Sequence, residues 1–221
     1  MPRKAERNLQ LSLDEFLEKA VCSSSFIFLG VDPGSRGAIA AFCQTTPENT
    51  PVFIADMPVA SVTKNRKTKS GKKAKGTVFC YKEIAELLRK FEDADLCSRI
   101  IAASETGQIQ VKHGYTKYGL ERGKAGSASP YNAMQVGLGA GIWPPLFYYM
   151  KVYYVTTVHP AVWKRFFGLS GKDKKASIET AKKLFPSAPL FLAKHDGRAE
   201  ALLIAEYARR TFNTEKTHEY D

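Results

Sequence analysis

No two cysteines of the chain are spaced as C-x-x-C; Cys22, Cys43, Cys80 and Cys97 lie far apart. That scatter suggests neither a zinc cluster nor a disulfide framework, so the four read as reduced thiols, Cys43 a buried one. Long apolar runs are missing as well, and nothing approaches the length of a membrane span. A soluble protein with no membrane partner is the expectation. The amino terminus carries Arg3, Lys4, Glu6, Arg7, Asp14, Glu15 and Glu18 without an apolar core segment, which fits neither a secretory signal nor an acid-poor transit peptide. A cytoplasmic location follows as the expectation. Acids are the scarcer charge, 22 against 33 Lys and Arg, which leaves a net charge of +11. Such an excess favours polyanions whatever the fold, so nucleic acid is the default partner and the protein is expected to be DNA- or nucleoid-associated.

What is present is enough for one domain with a full core: 221 residues, 44% of them hydrophobic. Ser12 followed by Glu15 forms a capping box before Leu13, Phe16, Leu17 and Ala20, predicting a short amphipathic helix to about Val21. It reads as an accessory segment, 1–23. From Phe26 to Val31 an uncharged β-prone run leads into Asp32, and Pro33-Gly34 turns the chain into a second apolar run ending near 44. Val52–Met57 adds a third strand, giving three consecutive antiparallel strands. Ile84, Leu87, Leu88 and Phe91 predict a helix from Tyr81, and Ser98–Ser104 a strand running into Glu105. The stretch 106–130 is Gly-rich and reads as a loop carrying Lys112, His113, Lys117, Arg122 and Lys124 among tyrosines. A helix with Gly137 and Gly141 four apart follows, then a strand over Val152–Val158 and helices over 160–167, 173–184 and from about 196. The tail 213–221 is polar.

Between Lys64 and Lys75 seven of twelve residues are basic and none acidic. Such a run buries nothing of itself and reads as a mobile loop, 64–77, suited to phosphates through Lys67, Lys69, Lys72 and Lys73. A merely solvated charge run is the plain alternative. Lys112, Lys117, Arg122, Lys172, Lys174 and Lys175 join the candidate DNA-binding residues. Gly137 and Gly141 make a smooth strip, either for a second subunit or for close packing on the chain's own sheet.

The acids are more telling. Asp32 and Glu105 end strands, and Asp196 and Glu200 lie four apart at a helix start, where both can face one point. Each has an ordinary reading too: Asp32 in an Asx turn, Asp196 as a helix cap. Together they can converge to hold two Mg²⁺ ions about 4 Å apart, which activate water and stabilise a leaving oxygen.

Three antiparallel strands, then helix, strand, helix and strand, with acids at these ends, resemble the ribonuclease H-like nucleases: an α/β fold with a mixed five-stranded sheet flanked by helices over 24–212. Gly30-Val31-Asp32-Pro33-Gly34-Ser35 looks like the first-strand motif of RuvC, the Holliday-junction resolvase. Val162-Trp163-Lys164-Arg165, Gly168, Lys172, Leu184-Phe185-Pro186 and Gly197–Ala205 are similar to the chloroplast Holliday-junction resolvases of plants and their bacterial and phage relatives. The resemblance implies a crossover junction endodeoxyribonuclease acting in DNA recombination and repair on four-way junctions as a homodimer. Its metal ligands would be Asp32, Glu105, Asp196 and Glu200, with Mg²⁺ as cofactor, two ions per site, and Mn²⁺ as a substitute. Lys164 corresponds to a basic residue near the scissile phosphate. In RuvC the final acidic pair is three apart, here four, and His195 stands where a ligand could also reach. Alternatives are a broader flap or fork nuclease, an inactive junction-binding module, and an actin-like ATPase, for which the chain is too short.

Overall fold

The computed structural model describes residues 11–44, 52–67, 71, 73–106, 114–116, 119–121 and 130–212. Helix α1 (Leu13–Cys22) opens with the expected capping box: Glu15 N–H donates to Ser12 Oγ at 3.3 Å and Ser12 N–H donates to Glu15 Oε2 at 2.8 Å. Then come β1 (Ile27–Asp32), β2 (Ala38–Cys43), β3 (Val52–Asp56), β4 (Val59–Lys67), β5 (Lys73–Phe79) and α2 (Tyr81–Asp93). The chain continues through β6 (Ile100–Glu105), β7 (Gly114–Thr116), β8 (Gly119–Glu121), α3 (Pro130–Gly141) and α4 (Trp143–Tyr149). It closes with β9 (Tyr154–Val158), α5 (Pro160–Phe166), α6 (Lys174–Leu184) and α7 (Asp196–Thr211).

Five strands form one mixed sheet in the order β3-β2-β1-β6-β9. The first three are antiparallel neighbours, and β6 and β9 run parallel to β1. This is the expected α/β architecture, a mixed five-stranded sheet flanked by helices. The reason lies in the inner strands β1, β2 and β6, which are buried almost throughout and so need cover on both faces. Along β1, Ile27, Leu29 and Val31 join Phe16, Ile84, Phe91, Trp143 and Phe147 in one buried cluster. Phe28, by contrast, belongs to the opposite cluster with Trp163, Ile178, Leu202 and Ile204 from the α5, α6 and α7 side. Phe16, Leu17 and Ala20 are buried, so α1 covers part of the first face. Arg99 donates to the carbonyls of Ala20 and Ser23, fastening the end of α1 to the entry of β6. All four cysteines are free, and Cys43 is buried.

Two expectations of loop give way to strand. The basic run expected to be mobile is the outer part of an antiparallel hairpin, β4 with β5, paired from Val59↔Phe79 to Lys67↔Lys73 with a register shift between Thr63 and Lys67. Its root explains this: Val59, Val62, Thr63, Thr77, Val78 and Phe79 are β-branched or aromatic, and pairing begun there extends into residues that solvent tolerates on both faces. The Gly-rich stretch likewise holds a short pair, β7 with β8. Lys69, Lys72, Lys112, Lys117, Arg122 and the tail 213–221 lie outside the described residues.

Candidate active site

Asp32 and Glu105 end β1 and β6, two parallel neighbours, so both carboxylates emerge at the same end of the sheet. Helix α7 crosses this region at very close range. A Cβ on Gly30 would stand 2.2 Å from the Ala201 carbonyl oxygen, and one on Gly197 would stand 2.2 Å from that of Arg36. Only glycine at both positions lets the first turns of α7 lie against β1 and the turn beyond Asp32. This approach carries Asp196 and Glu200 to the strand ends.

The Asx turn is real: Gly34 N–H donates to Asp32 Oδ1 at 3.1 Å. The same turn fixes the carboxylate beside other charged side chains. Burial pushes the Asp32 carboxyl up to about 6; Glu200 and Asp196 add to the rise, while the Gly34 N–H and Lys164 oppose it. Glu105 is pushed up to about 7, first by burial and then by the charge of Asp32, with Glu200 adding and the Trp163 N–H and Lys164 opposing. Asp32 thus feels the charges of Glu200 and Asp196, and Glu105 those of Asp32 and Glu200.

Two lysines sit among them. Lys164 Nζ is 3.2 Å from Glu200 Oε1, and that oxygen also accepts from Ser177 Oγ at 3.3 Å. Lys174, at the first position of α6, pairs with Asp196, and this hydrogen bond raises the lysine's own pKa. Lys172 and Lys175 are exposed, as is Lys73 on the hairpin. Asp196 is the first residue of α7 rather than its cap; His195 takes the cap position and makes no side-chain capping bond. The His195 imidazole is held by its own loop, with Leu192 N–H donating to Nδ1 at 3.5 Å. Burial, then Arg198, lower its pKa, and its other charged neighbours are Asp56 and Lys194, not the four acids.

Two partners were not legible beforehand. Trp163 Nε1–H donates to Glu105 Oε2 at 2.8 Å. Arg198, two residues after Asp196, grips Asp56 on β3 through Nε and a terminal nitrogen at 2.5 and 2.6 Å, tying the start of α7 to the far edge strand. A tryptophan beside Lys164-Arg165 and an arginine inside an acidic motif were the available signals.

All four carboxylates offer hard oxygen donors, and their shared desolvation and repulsion are what a divalent cation relieves, so the donor set suits Mg²⁺ in kind. Among the described residues, however, no three His, Cys, Asp or Glu side chains stand in a cation-holding arrangement as they are; Lys164 and Lys174 supply the positive charge.

No family model matches the chain, and no curated protein sequence matches it. Among solved structures it is similar to RuvC from Thermus thermophilus, with 14% identity and a TM-score of 0.39 over 84% of this chain and 96% of that one. A second similar structure is T. thermophilus RuvC in complex with Holliday junction substrate, with 14% identity and a TM-score of 0.38 over 84% of this chain and 97% of that one.

Proposed function

We propose that the chain is a divalent-cation-dependent endonuclease that nicks branched DNA, four-way junctions above all. The observation carrying this reading is that Asp32 and Glu105 are driven up to about 6 and about 7, first by burial and then by neighbouring carboxylates, Glu200 acting on both. Buried like charges are costly, and a site that keeps them has a use for a cation.

Asp32, Glu105, Asp196 and Glu200 would hold Mg²⁺, or Mn²⁺ in its place, two ions per site, and the bound ions would supply an activated water and charge stabilisation at the leaving oxygen. The chain's own residues do the positioning. Asp32 is fixed by its strand and by the Gly34 N–H, Glu105 by Trp163, and the start of α7 by the Arg198–Asp56 pair. Lys164 brings an ammonium beside Glu200, where a scissile phosphate would meet a positive charge.

The β4–β5 hairpin, with Lys64, Arg66, Lys67, Lys73 and Lys75 in its strands, is suited to the phosphates of a junction arm. Lys172 and Lys175 are exposed near the start of α6, and Lys69, Lys72, Lys112, Lys117 and Arg122 belong to the same proposal. Paired nicks need two centres, hence a homodimer. On α3, Met134, Gly137, Leu138 and Gly141 follow helical spacing, and both long side chains are exposed. Among the described residues a Cβ at Gly137 or Gly141 would meet nothing within 4 Å, whereas one at Gly139 would meet the Pro33 carbonyl and the Phe79 ring. Their open stripe supports a second copy as the occupant. Among the described residues no helix is long and apolar enough to cross a membrane, and action on DNA in the cytoplasm or nucleoid fits the charge.

The Lys164–Glu200 and Lys174–Asp196 pairs favour a second reading, a junction-binding module whose acids are neutralised internally. One assay separates the two: labelled four-way, three-way, flap and duplex DNA incubated with Mg²⁺ or with EDTA. Mg²⁺-dependent nicking of the four-way junction in preference to duplex supports the nuclease; tight junction binding without nicking supports the module. Nicking of flaps as fast as four-way junctions would point to the broader nuclease.

A further inference from the structure

Trp163 has no exposed surface, yet its polar atom is not directed into the apolar core around it. The ring packs in the cluster under α7, and the indole N–H points out of it to Glu105 Oε2, 2.8 Å away. Local topology makes this meeting reliable. Glu105 lies opposite Val158 in the parallel β6–β9 pair, and Thr106 N–H donates to the Val158 carbonyl at 2.9 Å. Helix α5 starts two residues later at Pro160, with His159 Nδ1 accepting from Ala161 N–H at its cap. Trp163 is therefore delivered beside the end of β6 by the shortest possible connection. Its neighbour Lys164 lies 4.9 Å from the centroid of the Trp163 ring and reaches Glu200 at 3.2 Å. Consecutive residues of one short helix thus touch carboxylates from two different elements.

A glutamate at a strand end has three side-chain torsions, the terminal one broad, so strand position alone leaves its carboxylate free to rotate. A buried indole has almost no such freedom, because the close-packed core around it fixes the ring. We infer that Trp163 is a positioning residue: its indole N–H pins one oxygen of Glu105 and so sets the direction in which the other is presented to a divalent cation. This rests on the nuclease reading above. Among the described residues the second oxygen of Glu105 accepts from nothing, which leaves it available.

Two replacements of Trp163 in the full chain test this. Trp163→Phe removes the N–H but also part of the ring's volume, so the deciding variant carries β-(3-benzothienyl)alanine at 163, which keeps the bicyclic shape and has sulfur where the indole has N–H. Mn²⁺ affinity by isothermal titration, single-turnover nicking of a four-way junction and thermal stability in EDTA are measured for each. The expected result is Mn²⁺ binding and nicking each weakened about 10- to 100-fold in the benzothienyl variant, the usual effect of losing a group that orients a ligand, at unchanged stability in EDTA. If that variant binds Mn²⁺ and cuts as the wild type does, the N–H only fills a hydrogen bond and the inference fails alone. If the wild type itself neither binds Mn²⁺ nor cuts, the nuclease reading fails and takes the inference with it.

Discussion

Replacing Asp32 by Asn removes a charge with almost no change of shape, and it should stabilise the cation-free protein while abolishing its cleavage. The magnitude comes from the raised pKa. Taking the carboxyl from 3.8 to about 6 corresponds to about 3 kcal/mol by which ionised Asp32 opposes folding at neutral pH. The sign follows from the direction: the folded value lies above the unfolded one, so stability is intact below pH 4 and is lost as pH rises through about 6. Asn keeps an oxygen to accept from Gly34 N–H, so the turn survives. It also lifts the charge that pushes Glu105 up, an effect in the same direction. Local relaxation trims the full figure, and about 1–3 kcal/mol is expected, or about 2–4 °C in Tm per kcal/mol for a chain of this size. Thermal unfolding in EDTA at pH 4 and pH 7.5 provides the assay. The gain should be near zero at pH 4 and present at pH 7.5, and Mn²⁺ should raise the Tm of the wild type but hardly that of the variant. A variant less stable than wild type at pH 7.5, or equally stabilised at both values, would refute the reasoning.

Gly137→Leu should fold normally, because its Cβ meets none of the described residues, and should shift the protein toward monomer in sedimentation with weaker junction binding; a fully dimeric variant would remove α3 from the interface. Changing Lys67, Lys69, Lys72 and Lys73 together to Ala should weaken junction binding and flatten the plot of log affinity against log salt by about 0.9 for each phosphate no longer neutralised, while leaving saturated single-turnover nicking almost intact. An unchanged slope with collapsed nicking would place the hairpin in the catalytic centre instead. Gly30→Ala should cost several-fold more stability than an ordinary strand substitution, since the new Cβ would overlap the backbone of α7 at Ala201 and Ala205; denaturant unfolding measures it, and a neutral result would contradict the close crossing.

The sheet was readable because its inner strands are long β-prone runs bounded by turn residues, as in the run from Phe26 to Asp32. The capping box at Ser12 and Glu15 was equally local. What escaped the sequence depended on partners distant in the chain. The charge of the basic run masks the β-branched and aromatic content of Val59–Thr63 and Thr77–Phe79, although hairpin pairing is set by the root and not by the tip. Trp163 was visible only as part of a motif, because a hydrogen bond from α5 to the end of β6 exists only once β9 has paired beside it. The glycines of α3 could not be sorted by spacing: Gly139 packs against Pro33 and Phe79, while Gly137 and Gly141, equally plausible on paper, face outward. The acids were singled out by their positions at element ends, but the lysines paired with Glu200 and Asp196 come from α5 and α6 and were legible only as basic residues.

The central claim is that Asp32, Glu105, Asp196 and Glu200 form one cation-binding centre, and anomalous diffraction from crystals of the full chain soaked in Mn²⁺ tests it most directly. The account expects anomalous density within ligand distance, about 2.0–2.6 Å, of oxygens from at least three of these carboxylates, with Lys174 displaced from Asp196. Mn²⁺ bound elsewhere, or absent while the Lys164–Glu200 and Lys174–Asp196 pairs persist, would contradict it.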